Sequence, residues 1–148
     1  MLTNSPPAVT DVASHLRLVV ARTARRLRQE AGQDLSPSLT SALASIDRHG
    51  PLTPSELAAH ERVQRPTATR LLARLAELGL VERAADPADR RSALISASPA
   101  GRTLLRRLRT RKNQYLAGRL AALEPDALAT LERAAAILER VLDAEERR

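Results

Sequence analysis

The chain has no cysteine. Disulfides, thiolate nucleophiles and cysteine redox switches are therefore excluded, and the composition fits a reducing compartment. Phenylalanine and tryptophan are also absent, which leaves Tyr115 as the one aromatic ring of the Phe, Trp and Tyr class. A core without such rings must draw on Leu, Ala, Val and Ile, which suits helices packed through leucine-rich stripes. Lysine is nearly missing, since every one of the 24 cations except Lys112 is arginine. Arginine forks onto phosphate or guanine; a GC-rich coding genome favours it too, and composition does not separate the two causes. No apolar run approaches the ~20 residues of a membrane span, and the first residues lack a basic-then-apolar signal pattern. A soluble, cytoplasmic protein is expected. His15, His49 and His60 do not fall at metal-ligand spacing. No glycine-rich phosphate loop or nucleophile–base set is present. No metal, no cofactor and no catalysis are expected.

What is there fits one compact domain or two small intertwined parts: 148 residues, 43% of them hydrophobic. The net charge is +7 and it is unevenly spread. Residues 65–119 hold thirteen cations against four anions, whereas residues 1–64 are close to neutral and residues 120–148 are net acidic. A basic excess confined to one segment is the electrostatic footprint of a polyanion-binding surface.

Along the chain, residues 1–10 with Asn4-Ser5-Pro6-Pro7 read as a frayed end. From about Asp11, Val12, Leu16, Val19, Val20 and Leu27 recur at helical spacing as far as Gly32. Ser36-Pro37 supplies an N-cap and a first-turn proline for a second helix with Leu39, Leu43 and Ile46 as its stripe, stopped at Gly50-Pro51. Thr53-Pro54-Ser55-Glu56 is a capping box that opens a short helix to about His60. A longer helix follows from Arg65 to Gly79. Ala68, Leu71, Leu72, Leu75 and Leu78 are expected on its apolar face, and Thr67, Arg70, Arg74 and Glu77 on the other. Residues 80–83 and 92–97 have strand character, and the polar loop Asp86-Pro-Ala-Asp-Arg-Arg-Ser92 between them makes a hairpin. Ser98-Pro99 caps a long arginine-rich helix to about Leu123. Glu124-Pro125 opens a last helix whose Leu128, Leu131, Leu138 and Leu142 form a narrow packing seam.

A short helix, a tight turn and a longer helix with a polar face make a helix-turn-helix, and the hairpin makes it winged. The longer helix is of a size to enter a major groove, with its exposed side chains at base edges. A basic wing tip lowers its energy beside phosphates or in a narrow minor groove. Thr67, Thr69 and Arg70 are the candidates for base or groove contact. Arg65 and Arg74 are candidates for phosphate, and Arg90 and Arg91 for the wing contact. The fold class read from the sequence is mainly α with a small β-hairpin wing: a winged helix-turn-helix plus a helical dimerisation region. Residues 1–34 and 99–148 are expected to supply the dimerisation region, and residues 35–98 the DNA-binding domain. The apolar stripes of residues 11–32 and 126–144 exceed what the short winged module can bury, which points to a homodimer.

Residues 52–101, LTPSELAAHERVQRPTATRLLARLAELGLVERAADPADRRSALISASPAG, resemble the winged helix of MarR-type bacterial transcriptional regulators. The resemblance rests on Glu56-Leu57-Ala58, Thr69-Arg70, Leu75 with Gly79-Leu80-Val81 and Arg83, Asp89-Arg90-Arg91, and Gly101. The flanking helices match as well. The resemblance implies a homodimer with interlocked terminal helices that binds double-stranded DNA at a pseudo-palindromic operator. It also implies that Asp89 braces the wing while Arg91 reaches the minor groove. Many members release DNA when a small aromatic or phenolic effector enters a cleft beside the winged helix; His15, Arg17 and Tyr115 are the candidates for such contacts here, although scarce aromatics leave little for stacking. The helix of Arg65-Pro66 opens without the family's common small polar cap, and Ser98-Pro99 replaces its frequent Leu-Thr. The remaining alternative is a non-sequence-specific nucleic-acid or anionic-surface binding protein using residues 102–112, where arginines lie on too many faces for clean insertion into a membrane.

Overall fold

The structure, a computed structural model, describes residues 8–32 and 34–146. Most of the expected frayed end, residues 1–7, lies outside them. Six helices and one two-stranded antiparallel hairpin follow in the order α1 (Val9–Glu30), α2 (Pro37–His49), α3 (Pro54–Glu61), α4 (Arg65–Glu77), β1 (Val81–Ala85), β2 (Ala93–Ala97), α5 (Pro99–Leu120) and α6 (Pro125–Glu146). Contacts divide the chain after Lys112, within α5. The first unit holds α1 to α4, the hairpin and the first half of α5; the second holds the remainder of α5 and α6.

The first unit owes its cohesion to one aliphatic core. Leu43 and Ile46 of α2, Leu57 of α3, Leu72 and Leu75 of α4 and Ile95 of β2 are all shielded from solvent, and Leu105 of α5 joins them. The helix ends are built by the signals expected of them. Ser36 Oγ accepts the Leu39 N–H at 3.3 Å with Pro37 in the first turn. At α3 the capping box is closed in both directions, with Glu56 Oε2 accepting the Thr53 N–H at 2.7 Å and Thr53 Oγ1 accepting the Glu56 N–H at 3.3 Å. Each closure satisfies a backbone donor that the first helical turn leaves without an internal partner. The ends of α2 and α3 are tied together twice, by the Ser45 hydroxyl donating to the Glu61 carboxylate and by the stacked rings of His49 and His60, 4.2 Å apart.

The structure moves several boundaries. The α4 helix ends at Glu77, so Leu78 becomes its C-cap and is 42% exposed rather than part of the apolar face. Gly79 follows at φ +70° and turns the chain away, a conformation costly for a residue with a Cβ. Leu71 is half-buried at the edge of the core. The β1 strand extends to Ala85, carried by pairing from Val81↔Ala97 to Ala85↔Ala93 despite the weak strand preference of alanine. The α5 helix stops at Leu120 rather than Leu123, with a turn before Pro125.

In the second unit α6 opens with Pro125 at its start and Asp126 in its first turn, a charge suited to the helix N-terminus. Its stripe faces outward: Leu128, Leu131, Ile137, Val141 and Leu142 are all exposed, and Leu138 is half-buried. The α1 helix likewise contains no buried residue, and its Val12, Leu16, Val19 and Val20 are at least 40% exposed.

Candidate nucleic-acid interface

The helix-turn-helix is made by α3 and α4, and its tight turn depends on one residue. Arg62 takes the left-handed conformation, φ +52° and ψ +43°, while its N–H reaches Ala59 O at 3.2 Å and the Val63 N–H reaches Ala58 O at 3.0 Å. Val63 then packs against the core and aims the chain into α4. Ala68, Leu72 and Leu75 bury one face of α4 against α2 and α3. The i, i+3/i+4 geometry of the helix puts Arg65, Thr69, Arg70 and Arg74 outside, and all four are exposed; Thr67 is half-buried.

The exposed face has an internal order. Thr69 Oγ1 donates to Arg65 O at 3.0 Å, which occupies its hydroxyl hydrogen and leaves the oxygen lone pairs outward. Arg70 donates to Thr67 Oγ1 at 3.4 Å, a long bond that a better acceptor displaces. Arg65, Pro66, Thr69 and Arg70 line a shallow cleft at the N-terminal end of the helix. No side chain caps that end, where Gln64 is the N-cap. The positive end of the helix and two guanidinium groups therefore meet at one place. Arg74 is set apart by an exposed ion pair with Glu77 at 2.9 Å; such pairs are weak in water and yield readily to a phosphate.

The wing is shaped by its two aspartates. Asp86 Oδ1 accepts the Ala88 N–H and Asp89 Oδ1 accepts the Arg91 N–H, both at 2.9 Å. These are Asx-type turns, in which a short carboxylate replaces a backbone acceptor. The loop is closed by Asp86 N–H to Ser92 O at 3.2 Å and Ser92 N–H to Asp89 O at 3.0 Å. Asp89 thus engages the backbone of Arg91, and the guanidinium groups of Arg90 and Arg91 stay exposed with no ion pair among the described residues. The base of the wing is fixed by Leu52, which exchanges two backbone hydrogen bonds with Ile95 at 3.0 and 2.8 Å. Behind it, Ser98 Oγ donates to Gly79 O at 2.7 Å and accepts the Gly101 N–H at 3.0 Å. A Cβ at Gly101 would clash with Leu80 O, so the segment that enters β1 and α5 approach this closely only with glycine there.

Not every expected site residue belongs to this surface. His15 and Arg17 are exposed on α1. Tyr115 is half-buried on α5 in the second unit, with the Arg119 guanidinium 6.0 Å from its ring centroid. Two features had no local sequence signal. One is the left-handed turn at Arg62, where a glycine or asparagine would have announced itself. The other is a clamp on the α1–α2 connection: Arg107 and Arg111 of α5 both donate to Asp34 Oδ2 at 3.1 Å, and Arg111 also donates to Ala31 O at 2.9 Å. Its partners lie more than seventy residues apart in the chain, beyond any motif. No group of three metal-binding side chains occurs among the described residues, and no described helix is long and apolar enough to cross a membrane.

The sequence pattern of the MarR family matches residues 35–93, the stretch containing the helix-turn-helix and most of the wing. A helix-turn-helix-type transcriptional regulator of Mycobacterium tuberculosis is 38% identical over 133 residues, covering 89% of this chain and 93% of that protein. The chain belongs to the MarR family. It is a winged helix-turn-helix transcriptional regulator with the mainly helical fold expected of such a MarR protein. The transcriptional repressor NicR of Pseudomonas putida is 32% identical over 109 residues, covering 70% of this chain and 67% of NicR. Among solved structures, a candidate transcriptional regulator of Pseudomonas aeruginosa superposes with a TM-score of 0.80 at 36% identity, over 90% of this chain and 96% of that one.

Proposed function

We propose that the chain acts as a homodimeric repressor that binds a pseudo-palindromic operator in the cytoplasm, without enzymatic activity of its own. The observation that carries this reading is the two-sidedness of α4: Leu72 and Leu75 are fully buried while Arg65, Thr69, Arg70 and Arg74 stand in solvent beside a basic wing. Thr67, Thr69 and Arg70 address base edges, Arg65 and Arg74 hold phosphates, and Arg90 and Arg91 extend the contact at the wing. Asp89 braces that wing by fixing the backbone at Arg91. Residues 35–98 serve as the DNA-binding domain, and residues 1–34 and 99–148 as the dimerisation region. The exposed aliphatic stripes of α1 and α6 support the dimer, since contiguous apolar surface of this kind favours a protein interface. Two copies place two recognition helices for major grooves about one helical turn, ~34 Å, apart. Repression accords with the similarity to NicR. A small-molecule effector tunes the affinity.

Duplexes selected from random DNA by the purified protein provide the test. A palindromic consensus is expected, and Arg91→Ala should weaken its binding by roughly 1–3 kcal/mol with the fold intact. Selection that enriches no sequence would overturn the reading, and unchanged affinity in Arg91→Ala would remove the wing from it.

A further inference from the structure

The residue ahead of a helix in the winged module usually works as a cap. Ser36 Oγ accepts the Leu39 N–H, Thr53 Oγ1 the Glu56 N–H and Ser98 Oγ the Gly101 N–H. At α4 that place is held by Gln64, and its side chain makes no such bond. The backbone explains why. A capping side chain accepts from the second or third helical N–H. Pro66 has no N–H to give, and the Thr67 N–H goes to Gln64 O at 2.9 Å. The Gln64 amide is therefore released from capping. It is exposed, one residue ahead of Arg65, which lines the shallow cleft with Pro66, Thr69 and Arg70.

Composition gives that amide a role. Across residues 35–98 Gln64 is the only asparagine or glutamine. Base edges in a major groove differ in their donors and acceptors. Guanine shows two acceptors, which suit an arginine fork, whereas adenine shows N7 as acceptor and N6 as donor. A carboxamide meets both groups of adenine at once. Guanidinium only donates, and a threonine hydroxyl bonds to either kind of base. The arginines and threonines of α4 thus leave adenine without a discriminating partner. Gln64 supplies one at the N-terminal end of α4, the part of a recognition helix that contacts base edges.

We infer that Gln64 is a specificity-determining residue that reads one adenine in the major groove of each operator half-site, its amide N–H donating to N7 and its carbonyl accepting from N6. The inference rests on the reading of α4 as the recognition helix of a dimer on DNA. It adds a base assignment that Thr67, Thr69 and Arg70 do not carry: one A·T pair in each half-site whose replacement is penalised through this residue.

Selection from random duplexes by the full chain, as the parent and as Gln64→Ala and Gln64→Glu, tests this. The parent consensus should hold one adenine in each half-site that Gln64→Ala no longer prefers, with the other positions kept. Gln64→Glu should move that preference toward cytosine, whose N4 donates to a carboxylate. In binding titrations, 7-deazaadenine at that position, which lacks the N7 acceptor, should weaken the parent about tenfold and cause no further loss in Gln64→Ala. The unfolding midpoint of Gln64→Ala should match that of the parent, since no cap is removed. A consensus unchanged in both variants, an affinity loss equal on operator and random duplexes, or 7-deazaadenine weakening parent and Gln64→Ala alike would each overturn the Gln64 assignment and leave operator recognition in place. A lowered midpoint with preference lost at every position would make Gln64 a structural residue and overturn it too. Selection that enriches no sequence with the parent overturns the regulator reading and this assignment together.

Discussion

The winged helix and the terminal helices treat the same residue type in opposite ways. Leu43, Leu57, Leu72 and Leu75 are at most 1% exposed, whereas Leu128, Leu131 and Leu142 of α6 are 46% exposed or more. Both sets recur at helical spacing. Local pattern states only that a helix has an apolar side; whether that side is covered depends on what the rest of the chain can bring to it. For α4 the cover comes from α2, α3 and the hairpin. For the exposed stripes of α1 and α6 a second copy is the proposed cover.

The contrast can be broken at its strongest point first. Leu72→Ala removes a fully buried side chain and should cost about 2–5 kcal/mol in urea unfolding; a loss below ~1 kcal/mol would show that the α4 interface is looser than its burial implies. On the other side of the comparison, Leu131→Asp puts a charge into the exposed stripe of α6. Sedimentation should then show a shift from dimer towards the 16.1 kDa single chain, and an unchanged dimer would exclude that stripe from the interface.

Smaller effects sharpen the division between surface and core within α4 itself. Arg70→Ala should lose about 1–3 kcal/mol of operator affinity and leave the unfolding midpoint in place; equal losses on a random duplex would assign Arg70 to phosphate rather than to bases. The smallest effect concerns the cap of α3. Glu56 is held below the usual carboxylate range, first by the Thr53 N–H and then by the Thr53 hydroxyl. A depressed carboxylate stabilises the fold above its unfolded pKa and loses that contribution as pH falls through the folded pKa. Glu56→Gln should therefore be slightly less stable than the parent at neutral pH and converge with it in acid. A stability difference independent of pH would mean that the charge plays no part in the cap.

Much of this was legible beforehand because it is written locally. The Ser36 cap, the Thr53–Glu56 box, the buried side of α4 and the hairpin all follow from residues within a few positions of each other. The candidate DNA-binding residues were legible for the same reason, being what remains on α4 once its leucines turn inward. Leu78 was misplaced because the apolar periodicity continues past Glu77, where the helix ends. The Asp34 clamp was not legible, since it joins the α1–α2 connection to α5 across a long stretch of chain.

The sequence alone determined the helical elements, the basic segment over residues 65–119 and, through the lack of Phe and Trp, the aliphatic character of every apolar surface the protein can form. Tertiary structure decided which of those surfaces is core, which is open and which side chains become neighbours. The physical reason is range. Capping and periodicity act through bonds a few residues long, whereas burial and ion pairing depend on segments that meet only after the chain has folded.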